Sequence, residues 1–237
     1  MRKIAISDIH GFFDQFQTLL HKVEYQPEHD ELFLLGDYMD RGPKSKEVLQ
    51  KVMQLSEHPN VHVIGGNHDS IFLNWVDDDD FRLMPYTHER VGGQETLKSF
   101  YPSFVPHENE KEARDYIQHH YQKEIAFLRQ LPYYVEDENH IYVHAGIDPK
   151  QEDWKKTSQK NFRWIRQPFY DKPHRHTKTV VFGHTSCHKL HDDEKNFLVW
   201  FGDKKIGIDG GVKFGGQLNA LLIEPKGYQV VSVPVSP

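Results

Sequence analysis

The chain has 237 residues, 37% of them hydrophobic and 13% aromatic, with a formal net charge of −6. That length suits one large domain with a filled core, and Lys and Arg are spread among the acids without the basic stripe of a duplex nucleic-acid binder. Cys187 is the only cysteine, which excludes an internal disulfide and fits a reducing, cytoplasmic setting; the apolar run before Asp8 is too short for a signal peptide, and nothing approaches the ~18 apolar residues of a membrane span.

In chain order, apolar runs end repeatedly in short polar blocks. Lys3-Ile4-Ala5-Ile6-Ser7 predicts a strand leading into Asp8-Ile9-His10-Gly11, after which Phe13, Phe16, Leu19, Leu20 and Val23 recur at helical spacing. Leu32-Phe33-Leu34-Leu35 leads into Gly36-Asp37-Tyr38-Met39-Asp40-Arg41-Gly42, and Val48, Leu49, Val52, Met53 and Leu55 predict a helix after Pro43. Val61-His62-Val63-Ile64-Gly65 leads into Gly66-Asn67-His68-Asp69, with a helix expected after Asp69 from Ile71, Phe72 and Trp75. Strand, polar block and helix repeated in this way mark a mainly parallel sheet.

Residues from about 75 to 131 are more polar, with a helical patch at 113–128, and read as a helical excursion positioned to select substrate. The Asp run at 77–80 reads as a solvated turn or helix start. From Ile141 the chain is mostly strand: Ile141-Tyr142-Val143 leads into His144-Ala145-Gly146 and Val180-Val181-Phe182 into Gly183-His184-Thr185, with further strands at 197–201, 206–208, 218–223 and 230–235 and a hairpin turn at Gly202-Asp203-Lys204-Lys205. The expected fold is α+β: a central two-sheet β-sandwich flanked by α-helices, one domain over 1–237.

Ligands of α/β sheets collect beyond the carboxyl ends of the strands, so the polar blocks meet at one edge. Asp8, His10, Asp37, Asn67, His144 and His184 together offer carboxylate, imidazole and amide donors, a set that suits Mn, Fe or Zn. Asp37 has two oxygens with which to bridge two ions ~3.5–4 Å apart. Arg41 presents a fork that matches phosphate oxygens, and Arg163 or Arg166 is the candidate second cation. His68 suits a general acid, with Asp40 orienting its ring. The plainer reading of Asp40-Arg41 is a structural ion pair, and that of Arg166 is packing against Trp164 or Phe169. His174, His176, His188 and His191 read as surface residues, the glycines from Gly210 to Gly216 as turn formers, and Cys187 as a residue without a base partner.

The blocks Asp8-Ile9-His10-Gly11, Gly36 to Gly42 and Gly66-Asn67-His68-Asp69, followed by His144 and His184, resemble the signatures of the phosphoprotein-phosphatase branch of the calcineurin-like metallophosphoesterases. The resemblance implies a first metal held by Asp8, His10 and Asp37 and a second by Asp37, Asn67, His144 and His184, with Mn2+ first among candidate metals. It also implies Arg41, Arg166 and Asn67 at the phosphate, Arg166 by similarity to a bacterial Trp-x-Arg segment, and His68 as acid paired with Asp40. Asp69, where eukaryotic members carry Glu, and His144-Ala145-Gly146, where they carry His-Gly-Gly, resemble the bacterial subgroup of protein phosphatases and symmetrical diadenosine tetraphosphate hydrolases; Gly210 stands where that subgroup often has Thr.

The expected reaction is hydrolysis of a phosphate ester by metal-activated water, first as a serine/threonine protein phosphatase. The alternative is a symmetrical dinucleoside polyphosphate hydrolase, with Trp75, Tyr86 or Trp164 placed to stack a base. A non-catalytic phosphoprotein-binding scaffold would normally have lost ligands, and a nuclease would want basic surface.

Overall fold

In the first strand, β1 (Arg2–Ile6), Ile4 and Ile6 point to one side and Ala5 to the other. All three are fully buried, so both faces of the strand must be covered. The same holds for β2 (Asp30–Leu34), where Leu32 and Leu34 alternate with Phe33. The computed structural model, which describes residues 1–78 and 84–235, meets this demand with two sheets packed face to face and helices outside both.

The chain runs β1, α1 (Phe13–Lys22), β2, α2 (Ser45–Ser56), β3 (Val61–Val63), α3 (Asn67–Val76), α4 (Gly93–Phe100), α5 (Glu110–His120), α6 (Gln122–Gln130), β4 (Tyr134–Glu136), β5 (His140–Val143), α7 (Gln159–Trp164), β6 (Thr179–Phe182), α8 (Cys187–Leu190), β7 (Trp200–Gly202), β8 (Lys205–Gly207), β9 (Gln217–Glu224) and β10 (Gly227–Pro234). One sheet has the order β10-β9-β1-β2-β3 and the other β4-β5-β6-β8-β7. Within them β1, β2 and β3 are parallel, as are β5, β6 and β8. The outer pairs β1·β9, β9·β10, β4·β5 and β7·β8 are antiparallel.

Three apolar layers follow. Ile4, Ile6, Leu32 and Leu34 pack with Phe16, Leu19, Val48, Leu49, Val52 and Phe72 of the first three helices. Ala5, Phe33 and Leu221 meet Tyr142, Val181 and Ile206 between the sheets. Ile141, Val143, Val180 and Phe182 pack outward against Trp154, Phe162 and Phe169. Among the described residues of this stretch, α4, α5 and α6 bring Leu97, Phe100, Ile117 and Leu128 into the first layer.

Some boundaries differ from the sequence reading. The third helix begins at Asn67 rather than after Asp69, because the Asp69 carboxylate reaches back to the Gly66 N–H at 2.7 Å and opens the helix there. The strand expected at 197–201 is reduced to Trp200–Gly202. The Phe197 carbonyl accepts from the Gln217 and Asn219 side-chain amides, which takes it out of any ladder. Of the Asp run, Asp77 and Asp78 follow the helix as a turn, with Asp77 paired to Arg129 and Asp78 to Arg114; Asp79 and Asp80 lie outside the described residues.

Phe33 is the central contact between the sheets. Its ring stacks on Tyr142 with centroids 3.8 Å apart and lies 4.7 Å from His62. Phe33→Ala should cost about 3–5 kcal/mol of folding stability, read as a lowered midpoint in urea unfolding; a loss below about 1 kcal/mol would show that the two sheets close over the cavity.

Candidate active site

The parallel strands of both sheets deliver their carboxyl ends to one edge, and the side chains there turn inward through unusual backbone. Asp8, His10, Asp37, Asp40, Arg41 and His184 all have positive φ, between 49° and 76°. Asp and His tolerate this region better than most residues, whereas Arg does so less readily. Tertiary hydrogen bonds hold them: the Asp8 N–H donates to Gly36 O at 3.1 Å, the His10 N–H to Asp37 O at 2.9 Å and the Arg41 N–H to Gly92 O at 2.9 Å. The second polar block closes on the third at two glycines. A Cβ on Gly36 would lie 2.4 Å from the Gly66 nitrogen, and one on Gly66 would lie 2.2 Å from the Asp37 carboxylate.

Two imidazoles have their tautomers set by backbone. His10 Nδ1 donates to Met39 O at 2.8 Å and His144 Nδ1 to Leu35 O at 2.7 Å. Each therefore turns an Nε2 lone pair inward. His144 Nε2 faces Asn67 Oδ1 at 2.9 Å and Asp37 Oδ1 at 3.3 Å. His10 Nε2 faces Asp37 Oδ2 at 3.6 Å and Asp8 Oδ1 at 3.9 Å. His184 Nε2 is buried without a hydrogen-bond partner. Lone pairs meeting lone pairs repel unless a cation lies among them, so the donor set fits divalent metal. Ligand atoms of His10, Asp37 and His68, and of Asp37, His144 and His184, lie within 4.8 Å of one another.

Electrostatics agrees. Burial, and then the neighbouring Asp209, push the Asp8 carboxyl well up; burial, and then Asp69, do the same to Asp37. Burial depresses the imidazoles of His10, His68 and His184 well below the usual range. A bound cation would reverse both penalties, favouring carboxylate and neutral imidazole together.

His68 and Asp40 form a separate buried pair, Nδ1 to Oδ2 at 2.7 Å. Burial raises the Asp40 carboxyl to about 7, against hydroxyl donors from Tyr86 and Thr96. These two residues come from the helical excursion, whose Gly92 and Arg90 carbonyls also receive the Arg41 backbone and guanidinium. The excursion thus reaches the site from behind, through Asp40 and Arg41. Since His68, Tyr86 and Thr96 occupy Asp40, a simple Asp40-Arg41 ion pair does not describe the loop. The Arg41 Nη2 lies 3.3 Å from His68 Nε2, and its Nε is buried without a partner.

The two candidate arginines separate. Arg163 stacks over Tyr133, 4.3 Å from the ring centroid, with its guanidinium beside Gly65. Arg166 is exposed, and its charge bears on His68 and His184. Of the aromatics expected to face a base, Trp75 and Tyr86 are corrected: both are buried, packed with Phe72 in the helical layer. Trp164 is 41% exposed, its ring 6.1 Å from His184. Cys187 is fully buried, its thiol pushed up by burial.

A model of the calcineurin-like phosphoesterases matches residues 1–217. The chain belongs to that family. As a calcineurin-like phosphoesterase it is a hydrolase of the metallophosphoesterase type, with the αββα layering of the fold. The symmetrical bis(5'-nucleosyl)-tetraphosphatase of Vibrio parahaemolyticus serotype O3:K6 (strain RIMD 2210633) is 29% identical over 150 residues, covering 63% of this chain and 46% of that protein. The chain therefore spans about half the length of the curated relatives it matches. Among solved structures, one described as a candidate diadenosine tetraphosphatase superposes with a TM-score of 0.68 at 22% identity, covering 99% of this chain and 94% of that one. A protein serine/threonine phosphatase from Saccharomyces cerevisiae gives 0.65 at 14% identity, covering 100% and 81%. Among the described residues no helix of this phosphoesterase is long and apolar enough to cross a membrane.

Sequence reasoning missed the supports. Tyr86 and Thr96 lie 46 and 56 residues beyond Asp40, with no local signal. Asp69 was noted only for its chemical difference from Glu, yet its position three residues after Gly66, at a helix start, is a capping signal. Its carboxylate accepts from the N–H groups of Gly66 (2.7 Å), Asp37 (2.9 Å) and Tyr38 (3.1 Å). Asp69→Ala leaves three buried donors unsatisfied and should cost at least about 3 kcal/mol, read by denaturant unfolding of metal-free protein; a loss under about 1 kcal/mol would mean water replaces the carboxylate.

Proposed function

We propose that this phosphoesterase works with two divalent ions, Mn2+ first among them, and that its substrate is a dinucleoside polyphosphate cut symmetrically, as in diadenosine tetraphosphate. The observation that carries the metal reading is the inward convergence of lone pairs from His10, His144, Asp37 and Asn67. Asp8, His10 and Asp37 would hold one ion, and Asp37, Asn67, His144 and His184 the other. When bound, the ions supply Lewis-acid stabilisation of the phosphoryl oxygens and a nucleophile from water at neutral pH.

The remaining work belongs to side chains. Arg41, with a buried and unpartnered Nε–H, grips the phosphate together with Arg166 and the Asn67 end of the third helix. In the free site burial and Arg41 keep His68 neutral. An arriving phosphate brings negative charge, favours the imidazolium and lets Nε2 give its proton to the leaving oxygen while Asp40 holds Nδ1. A nucleoside diphosphate is a good leaving group and needs this proton less than a serine alkoxide does. A cytoplasmic setting rests on the single, buried cysteine.

The order of the two substrate readings is the reverse of that expected from sequence. Relatives with sequence similarity over 63% of the chain carry the tetraphosphatase name, whereas the serine/threonine phosphatase likeness at 14% identity supports the fold alone. Trp164, exposed beside His184, offers a surface on which a base can stack.

With Mn2+ present, kcat/KM for diadenosine tetraphosphate should exceed that for a phosphoserine peptide by about tenfold or more, with ADP as the nucleotide product; a preferred peptide, or AMP and ATP as products, overturns the substrate reading. Chelation should abolish hydrolysis of an aryl phosphate and Mn2+ restore it, while Asp37→Asn should lose metal by elemental analysis. Retained stoichiometric metal would remove Asp37 from the bridging position. Asp40→Asn should lower kcat by about 10²–10³ on a poor-leaving-group ester with little change in KM, and by less on p-nitrophenyl phosphate; equal losses would argue against acid catalysis by the pair.

A further inference from the structure

One group of charges beside the centre has no role in the mechanism above. Between β8 and β9 the chain makes a short turn at Val212–Phe214, entered and left through Gly211 and Gly215 at φ 66° and 76°. The turn is fastened to the loop that carries His184. The Asp209 carbonyl accepts the Cys187 N–H at 2.8 Å, and Gly211 packs against Ser186 closely enough that a Cβ would lie 2.6 Å from its Oγ. Phe214 is half exposed. Two ammonium groups stand over its ring, Lys213 Nζ at 5.0 Å and Lys189 Nζ at 5.6 Å from the centroid, and the His188 ring lies 5.1 Å away.

Among the described residues no carboxylate oxygen lies within 4.0 Å of either ammonium nitrogen. The nearby Asp209 carboxylate is buried and accepts the Gly211 N–H at 2.8 Å. Two ammonium groups gathered at one aromatic ring repel each other, and an anion bound by both relieves the repulsion. The Lys213 charge bears first on Asp209 and then on Arg41, Asp8 and Asp37, so its ammonium lies within electrostatic reach of the metal-binding cluster, whereas Lys189 is on the exposed side of the eighth helix.

We propose that this turn is a second phosphate subsite, in which Lys213 and Lys189 over Phe214 bind the part of a polyphosphate chain beyond the phosphoryl group being cut. The inference rests on reading the adjacent centre as a phosphoesterase site, and it names the feature that separates a polyphosphate from a phosphomonoester.

The test compares Lys213→Met, Lys189→Met and Lys213→Arg in the full Mn2+-loaded chain. The ratio of kcat/KM for diadenosine tetraphosphate to that for p-nitrophenyl phosphate should fall about tenfold or more in Lys213→Met, mainly through KM. The inhibition constant of inorganic tripolyphosphate should rise by a similar factor, and that of orthophosphate by much less. Lys189→Met should move the same quantities in the same direction by less, and Lys213→Arg should recover most of the loss. An unchanged ratio with unchanged tripolyphosphate inhibition overturns the proposal, as does equal weakening of tripolyphosphate and orthophosphate. If wild-type protein ignores diadenosine tetraphosphate, the substrate reading fails while the two inhibitors still decide the role of Lys213. Should Lys213→Met not fold, Lys189→Met and Lys213→Arg carry the same inhibitor comparison.

Discussion

A single carboxylate ties together the two loops on which the centre depends. Asp69 opens the third helix by accepting the Gly66 N–H, and it also accepts the N–H groups of Asp37 and Tyr38. It thus fastens the end of β3 to the end of β2 from inside, where no water competes. The glycine pair at Gly36 and Gly66 allows the approach. The Asp37 carboxylate then accepts the His68 N–H at 2.8 Å and faces the His10 and His144 rings. Loosening Asp69 would disturb Asp37, His68 and Asn67 together, because each takes its place from the same join.

Charge sets the second constraint. Asp8, Asp37, His10, His68 and His184 are pushed by burial toward the uncharged state, and His10 and His144 present lone pairs where protons would be needed to reconcile them with their neighbours. The protein tolerates this because backbone carbonyls at Met39 and Leu35 fix the tautomers and because left-handed backbone at six positions leaves the side chains little freedom to escape. The Asp40-His68 pair solves a different problem. Burial raises the Asp40 carboxyl to about 7 against the Tyr86 and Thr96 hydroxyls, through which the helical excursion fixes its position.

What could be read from sequence follows from how local each signal is. Asp8, His10, Asp37, Asn67, His144 and His184 are legible because each follows an apolar run, and strand ends in such sheets converge. The layered fold was legible from the repeat of strand, polar block and helix in the first third and from the run of strands after Ile141. Tyr86 reads from sequence as a base-stacking aromatic because the partner of its hydroxyl, Asp40, lies 46 residues away in the chain. Trp75 was misread because its burial depends on the later helices. Arg163 and Arg166 are alike in sequence and part only when Tyr133 stacks on the first. Lys213 sat in a glycine-rich stretch that explained itself as turns.

The pairing of β1 carries a consequence in time. β1 lies between β2 and β9, with Ile4 opposite both Leu32 and Leu222. The first partner emerges soon after it, whereas the second is made some two hundred residues later, roughly 10–40 s at ribosomal rates of ~5–20 residues per second. Through that interval the strand that leads into Asp8 and His10 has one open edge, rich in Ile and bare of its ladder, which is the surface on which nascent chains mispair. Until β9 is made, that edge of β1 is open to pairing with the wrong strand.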